Sequence, residues 1–245
     1  MTYTPDFFKA ISASASESAA VLLPCVFELV GTPTSILDVG CGTGAWLATA
    51  RELGVAETIG VDGDYLPPEQ LVISPNEFVA ADLTKPLDLQ RRFDVVMTLE
   101  VAEHLDEQAA SGFVRSLAAH GDVILFSAAT PGQGGNHHVN ERLPSYWVDL
   151  FAAEGYQLFD LVRPRVWADE RVMFYYHQNA LLFATGEPAE RLLRVPRPPI
   201  VDIVHPEQLA YWKECGVREG VALTKAAAGR ALRRRAERYL GRRRR

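Results

Sequence analysis

The chain has 245 residues and a mass of 27.1 kDa, larger than the common domain of about 100–150 residues yet within reach of one α/β domain. Its 48 % hydrophobic and 23 % charged residues are ordinary globular values, which excludes a disordered or fibrous chain. No run approaches the ~20 apolar residues of a membrane span, and the N-terminal MTYTPDFFKA carries an early acid instead of a basic region before an apolar core. Cys25, Cys41 and Cys215 are odd in number and lack paired spacing, so neither a disulfide framework nor a zinc site is expected. The expectation is a cytoplasmic protein in a reducing compartment. Charge is divided along the chain: residues 225–245 hold ten basic residues against Glu237, a net +9, leaving 15 basic and 30 acidic residues elsewhere, a net −15. Such a tail is suited to an anionic partner or to the acidic body of a second protomer.

Taken in chain order, Ser14-Ala-Ser-Glu17 has capping-box spacing ahead of a helical pattern that reaches Val30, with Pro24 expected to kink or shorten it. From residue 35 short apolar runs alternate with helical stretches. Strands are predicted at 35–39, 58–61, 77–81, 93–99, 123–127, 156–162 and 172–183, and helices at 45–53, 106–119 and 145–154. Near-continuous apolar strands separated by helices predict buried parallel strands. The last two, with no helix predicted between them, are expected to pair antiparallel at one edge. The predicted fold is therefore α/β: a doubly wound, mostly parallel seven-stranded sheet with an antiparallel edge strand, plus N- and C-terminal helices. Three segments are expected: a helical cap (1–33), a cofactor-binding domain (34–190), and a linker with a basic helical tail (191–245), the linker marked by Pro196, Pro198 and Pro199 and the helices by 206–215 and 218–240.

The first strand runs into Asp38-Val-Gly40-Cys41-Gly42-Thr-Gly44-Ala45. Glycines there permit a tight turn and let a ligand approach the backbone at the carboxyl end of the sheet. As GxGxxA (Gly40, Gly42, Ala45) the loop fits a dinucleotide, with Asp62 about 20 residues on for the ribose. A pyrophosphate, however, is dianionic, and Asp38, Asp62, Asp64 and Asp82 all fall at strand ends around it; one like-charge pair at ~4 Å costs about 4 kcal/mol at a protein surface. A cationic cofactor without phosphates, such as S-adenosylmethionine with its sulfonium and ammonium, fits that rim far better.

The segments ILDVGCGTGAW (36–46), GVD (60–62), AADL (80–83) and FDVVMTLEVAEHL (93–105) resemble, in order and spacing, the successive motifs of class I S-adenosylmethionine-dependent methyltransferases. The resemblance covers about residues 34–185 and implies a Rossmann-like fold. It implies that Gly40, Cys41, Gly42 and Gly44 line the methionine portion and that Asp38 is oriented towards the ammonium. By the same resemblance Asp62, with Gly63 beside it, takes both ribose hydroxyls, Asp82 takes the adenine amino group with Leu83 stacking, and Leu99 and Glu100 close the pocket. Helices before the first strand are implied to cover the site, so that Phe7, Phe8 and the residues around Val21 shape the acceptor pocket.

Methyl transfer needs a nucleophile aligned on the methyl group and, for a hydroxyl, a group to remove its proton. Two clusters lie after the fourth and fifth predicted strands. In Glu100-Val-Ala-Glu103-His104 the spacing places the three polar side chains on one helical face. In Gly135-Asn-His137-His138-Val-Asn140-Glu141 the glycine-rich context suits a lid, and His138 is the favoured histidine. If the clusters meet, Glu100, Glu103, His104 and His138 form a set able to hold Mg²⁺ or Mn²⁺ and lower the pKa of a bound hydroxyl; without metal, His104 or His138, with Glu103, is the catalytic base.

NHHVNERLPSYWVDLFAAEGY, RPRVW and FYYHQNALLF are similar to bacterial methyltransferases of sugar, surface-polysaccharide and natural-product pathways, which implies a small-molecule hydroxyl acceptor. The ExxEH pattern with a downstream histidine also resembles the small-RNA 3′-terminal ribose 2′-O-methyltransferases, whose set holds a divalent metal, and the arginine tail would suit phosphates. Against RNA stands the acidic body, and Tyr146, Trp147, Trp167, Tyr175 and Tyr176 have the apolar neighbours of core residues rather than of base-stacking ones. A catalytically silent binding protein is a further alternative, disfavoured by the intact glycine loop, Asp62 and Asp82. Val221, Ala228, Leu232, Ala236 and Leu240 recur along the tail at helical spacings, as in a helix that docks on a partner. Deleting residues 217–245 is expected to change the oligomer mass or the melting temperature; scattering and thermal unfolding check it, and unchanged values would sink the docking role.

Overall fold

The computed structural model describes residues 5–65, 67–195 and 202–208, with side chains from Ser12 onward. Strands β1 (Ser35–Val39), β2 (Glu57–Asp62), β3 (Phe78–Ala80), β4 (Val95–Leu99) and β5 (Val123–Ser127) pair in parallel. Strand β7 (Leu181–Ala184) is antiparallel to β5 and to the edge strand β6 (Gln157–Phe159), giving a seven-stranded sheet in the order β3-β2-β1-β4-β5-β7-β6. The predicted mixed sheet is thus observed. Its strand order reverses between β1 and β4, which opens a crevice at their carboxyl ends.

Side-chain alternation along the strands divides the core into two layers. Ile36 of β1 and Leu125 of β5 face the layer built on α1 (Pro5–Val30), α2 (Ala45–Glu52) and α7 (Gly186–Leu192). Leu37, Val39, Ile124 and Phe126 face α3 (Glu107–His120) and α4 (Pro144–Ala153). There Phe151 stacks on Phe183 with ring centroids 4.0 Å apart, and Phe126 meets Trp147 and Phe151 at 5.1 and 5.2 Å. Aromatic contacts of this kind add to area burial and hold α4 on the sheet.

Several expectations need correction. Ser14 and Glu17 do not start α1; both lie inside a helix already running from Pro5, and it continues past Pro24 to Val30. Proline withdraws the N–H that would reach the Ala20 carbonyl, and Ala20 lies on the exposed side of the helix, where losing one internal bond costs least. Ser12–Val30, 19 residues of mean hydropathy 1.4, is also long and apolar enough to span a membrane by composition. That apolarity serves the core here: Ala19, Leu22 and Val26 are fully buried against the domain.

The larger correction concerns 156–183. Strand β6 stops at Phe159, and two helices, α5 (Arg163–Val166) and α6 (Phe174–Asn179), separate it from β7 where none was predicted. The aromatic run 174–176 has high strand propensity, which tertiary context overrides: Arg163 is buried and needs a carboxylate one helical turn away. Asp160 supplies it through Nε–Oδ1 at 2.8 Å and Nη2–Oδ2 at 2.5 Å, while Nη1 donates to the Gln178 carbonyl at 3.0 Å. That guanidinium therefore ties β6, α5 and α6 together. The linker prolines, Cys215 and the 218–240 pattern lie outside the described residues; residues 206–208 begin a helical turn.

Removing one partner of a buried ion pair strands the other, at a cost of about 3–5 kcal/mol, whereas exposed pairs contribute about 0–1 kcal/mol. Asp160→Ala is expected to lose an amount in the first range in denaturant unfolding, and Glu154→Ala, which breaks the surface pair with Arg115, an amount in the second.

Candidate active site

The crevice at the carboxyl ends of β1, β2 and β4 is a cavity of about 1530 Å³. The β1–α2 loop forms its floor. Gly40 sits at φ +85°, and a Cβ there would overlap Val101, so this turn requires glycine. The loop amides are already engaged: Gly40 N and Cys41 N donate to Val61 O, Gly44 N to Cys41 O, and Gly42 N to Asp62 Oδ2 at 2.7 Å. A phosphate cradle needs such amides unspent, so the loop is a poor pyrophosphate site and suits a ligand recognised by acids.

Those acids stand where the strands end. Asp62 closes β2 and lines the cavity beside Gly63. Asp82, after β3, is exposed; the Thr84 hydroxyl and amide bind its Oδ1 at 2.6 and 2.9 Å and hold it below the usual carboxylate range. Leu83, Leu99, Glu100, Gly40, Cys41 and Gly42 also line the cavity. Asp38 and Gly44 do not. Asp38 is buried behind the loop, and burial followed by the charge of Asp62 raises its pKa well above normal. Gly44 backs onto Ile73. Burial, then Asp38 and Asp62, pushes the Cys41 thiol up as well, so it is inert packing rather than a nucleophile.

The two polar clusters meet on the cavity wall. Val139 N and Asn140 N donate to the Glu103 carbonyl at 2.9 and 3.0 Å, which fastens the loop after β5 to the 3₁₀ turn Ala102–His104. Glu103, His104 and His138 then place one ligand atom each within 4.8 Å of one another, and the two imidazole centroids are 4.8 Å apart. Glu103 is fully buried, and among the described residues neither of its oxygens has a well-formed hydrogen-bond partner; burial first and the Glu100 charge second push its pKa well up. Burial and His138 hold His104 below its usual value, hence neutral and able to accept a proton or bind a metal. A buried, unpartnered carboxylate facing two imidazoles fits a divalent cation.

Glu100 departs from the one-face expectation. It adopts φ +56° instead of a helical conformation, its amide donates to Ser127, and it stands outside the Glu103–His104–His138 group. Its carboxylate accepts from Asn179 Nδ2 at 3.1 Å and Gln133 Nε2 at 2.5 Å; burial still raises its pKa against those bonds. His137, at φ +60°, is exposed and does not line the cavity, which leaves His138 as the histidine of the pair that reaches it.

Several contributors were missed. Glu141 accepts from Gly132 N at 2.7 Å, Gly134 N at 3.0 Å and His138 Nδ1 at 3.0 Å, so one carboxylate both ties the glycine loop and directs His138 Nε2 away from itself. Burial would raise its pKa, but those bonds hold it below normal. The adjacent VNE string was the available sequence signal. Helix α1 contributes Ser12 and Ala15 to the wall, Ser12 Oγ meeting Thr43 Oγ1 at 2.7 Å, whereas Val21 packs into the core and the side chains of Phe7 and Phe8 lie outside the described residues. Trp46, Phe174, Tyr175 and Tyr176 complete the wall; burial raises the Tyr175 hydroxyl to about 12. Among the described residues the lining contains no Lys or Arg.

A family model described as a methyltransferase domain matches residues 14–171. The ribosomal protein L11 methyltransferase of Geobacter metallireducens is 29 % identical over 147 residues, 58 % of this chain and 44 % of the relative. The ribosomal RNA large subunit methyltransferase E of Methanosphaerula palustris is 29 % identical over 115 residues, 45 % of this chain and 55 % of the relative. The chain thus spans about half the length of the curated relatives it matches. A solved sugar N-methyltransferase from Streptoalloteichus sp. aligns with a TM-score of 0.55 at 18 % identity, over 71 % of this chain and 88 % of that one. An O-methyltransferase family protein of Burkholderia thailandensis aligns with a TM-score of 0.52 at 14 % identity, over 75 % and 59 %. Both share the fold. The engaged glycine loop, the acids at the strand ends and the matched domain together place this chain in the class I S-adenosylmethionine-dependent methyltransferase family.

Proposed function

We propose that this protein methylates a hydroxyl on a small molecule such as a sugar, a polyketide or another natural product, with S-adenosylmethionine as the methyl donor. The observation that carries this reading is the meeting of Glu103, His104 and His138 on the wall of the cofactor cavity. A neutral amine acceptor needs no base before attack, whereas a hydroxyl does. A phosphodiester chain such as RNA needs cations along its path, and the described lining offers acids and aromatic faces instead.

In this reading Asp62 orients the ribose, Asp82 the adenine amino group, and Leu83 and Leu99 pack the purine. Asp38 acts from behind the loop, by its field on the ammonium rather than by contact. Trp46, Phe174, Tyr175 and Tyr176 exclude water and give the acceptor an apolar wall. His104 and His138 stand ready to take the hydroxyl proton; Glu141 fixes the His138 tautomer that leaves Nε2 as the acceptor atom. The same Glu103, His104 and His138 are the residues that would hold Mg²⁺ or Mn²⁺. A bound cation would supply Lewis-acid lowering of the hydroxyl pKa. Transfer itself is in-line displacement at carbon, for which the protein supplies alignment at about 3–3.5 Å.

Calorimetric titration is expected to show binding of S-adenosylhomocysteine and none of NAD, and Asp62→Ala is expected to weaken the former. Equal affinity in that variant would overturn the ribose assignment, and absence of binding in the parent would overturn the reading altogether. With a labelled methyl donor and a panel of hydroxylated acceptors, His104→Ala or His138→Ala is expected to cut turnover by about 10²–10⁴-fold with cofactor affinity nearly intact. Restoration by added Mg²⁺ or Mn²⁺ would identify the group as a metal site; turnover indifferent to both substitutions would remove these histidines from the mechanism.

A further inference from the structure

The donors around Asp62 already fill most of what its carboxylate can accept. An ionised carboxylate offers about four acceptor positions, two on each oxygen. Gly42 N takes one on Oδ2 at 2.7 Å. On Oδ1, Gly63 N at 2.7 Å and the Tyr65 hydroxyl at 2.6 Å take both. One position remains, whereas a ribose cis-diol held by a single carboxylate brings two O–H donors. One donor must therefore leave, and two of the three belong to the backbone of the loop and the strand end, whose positions the fold sets. Tyr65 is the donor on a rotatable side chain.

Its surroundings allow it to move. Tyr65 is 62 % exposed, so swinging it out sacrifices little packing. Its ring rests on Gly63, where a Cβ would overlap the ring edge, so the absence of a side chain at 63 is what admits the inward pose. Tyr65 also lines the cavity together with Asp64 and Pro67, at its adenosine end beside Asp62. We propose that Tyr65 is a gate for the cofactor: in the free protein its hydroxyl occupies the place on Asp62 that a ribose hydroxyl takes, and it gives up that place when cofactor binds. This inference rests on the cofactor reading above, because it requires a ribose at Asp62. A competing internal contact subtracts its own strength from the affinity of whatever replaces it.

The test is calorimetry and stopped-flow binding on the full chain and its Tyr65→Phe variant, which keeps the ring and deletes the donor. The probes are S-adenosylhomocysteine and its 2′,3′-dideoxy analogue. The variant is expected to bind S-adenosylhomocysteine about three- to tenfold more tightly, the range set by losing one ordinary hydrogen bond, with the gain absent for the dideoxy analogue. Unchanged or weaker binding of S-adenosylhomocysteine by the variant, or an equal gain for both probes, overturns the gate while leaving the cofactor reading standing. Failure of both proteins to bind S-adenosylhomocysteine overturns the gate and the cofactor reading together.

Discussion

The Asp62 carboxylate is the point on which the site is hung. It ends β2, receives the amide of Gly42 from the loop after β1, and receives the amide of Gly63 from its own turn. Two neighbouring strands are thus joined at their ends by one side chain, one strand away from the place where the strand order reverses. Its charge reaches further: after burial, it raises the Asp38 pKa above the normal carboxylate range and adds to what keeps the Cys41 thiol inert. A cationic ligand entering this rim meets acids that the fold has forced together at a cost, which is the electrostatic form of preorganisation.

The second organising feature is a chain of side-chain amides behind Glu100. The backbone N–H of His205 donates to Gln178 Oε1 at 2.7 Å, which turns Gln178 Nε2 towards Thr130 Oγ1 at 2.7 Å, Asn179 Oδ1 at 3.2 Å and Gln208 Oε1. Asn179 Nδ2 then donates to Gln133 Oε1 at 2.8 Å and to Glu100, and Gln133 Nε2 donates to Glu100 in turn. Gln178 and Gln208 are fully buried, and Asn179 nearly so. Such networks are costly when partly satisfied and specific when complete. This one holds a carboxylate in a left-handed backbone conformation, which only a surrounding structure that overdetermines it can maintain.

What was legible in the sequence was local. The strands at 35–39 and 123–127, the glycine loop and the acids at 62 and 82 each announce themselves within a few residues, because strand period and turn chemistry act at that range. What was hidden depends on distant partners. The run at 172–183 has the residues of a strand, and its helix exists because Arg163, Ser18 and His205 draw its polar groups inward. The pattern Glu100–Glu103–His104 has helical spacing, yet Asn179 and Gln133 pull Glu100 out of the set. The glycine-rich stretch 132–135 reads as a free lid, but Glu141 laces it down from within its own segment. Tyr65 gave no signal at all, since its contact is defined by a lone pair rather than by a motif.

The amide chain behind Glu100 has a direction, because each carboxamide has one donating and one accepting end. Its orientation is set by the main-chain N–H of His205, a group that can only donate. Side-chain replacement at 205 leaves that group in place, so the polarity is inherited with the backbone path and not with the residue written there; proline alone would erase it. The register of the C-terminal segment, more than its composition, is therefore what the interior of this domain reads.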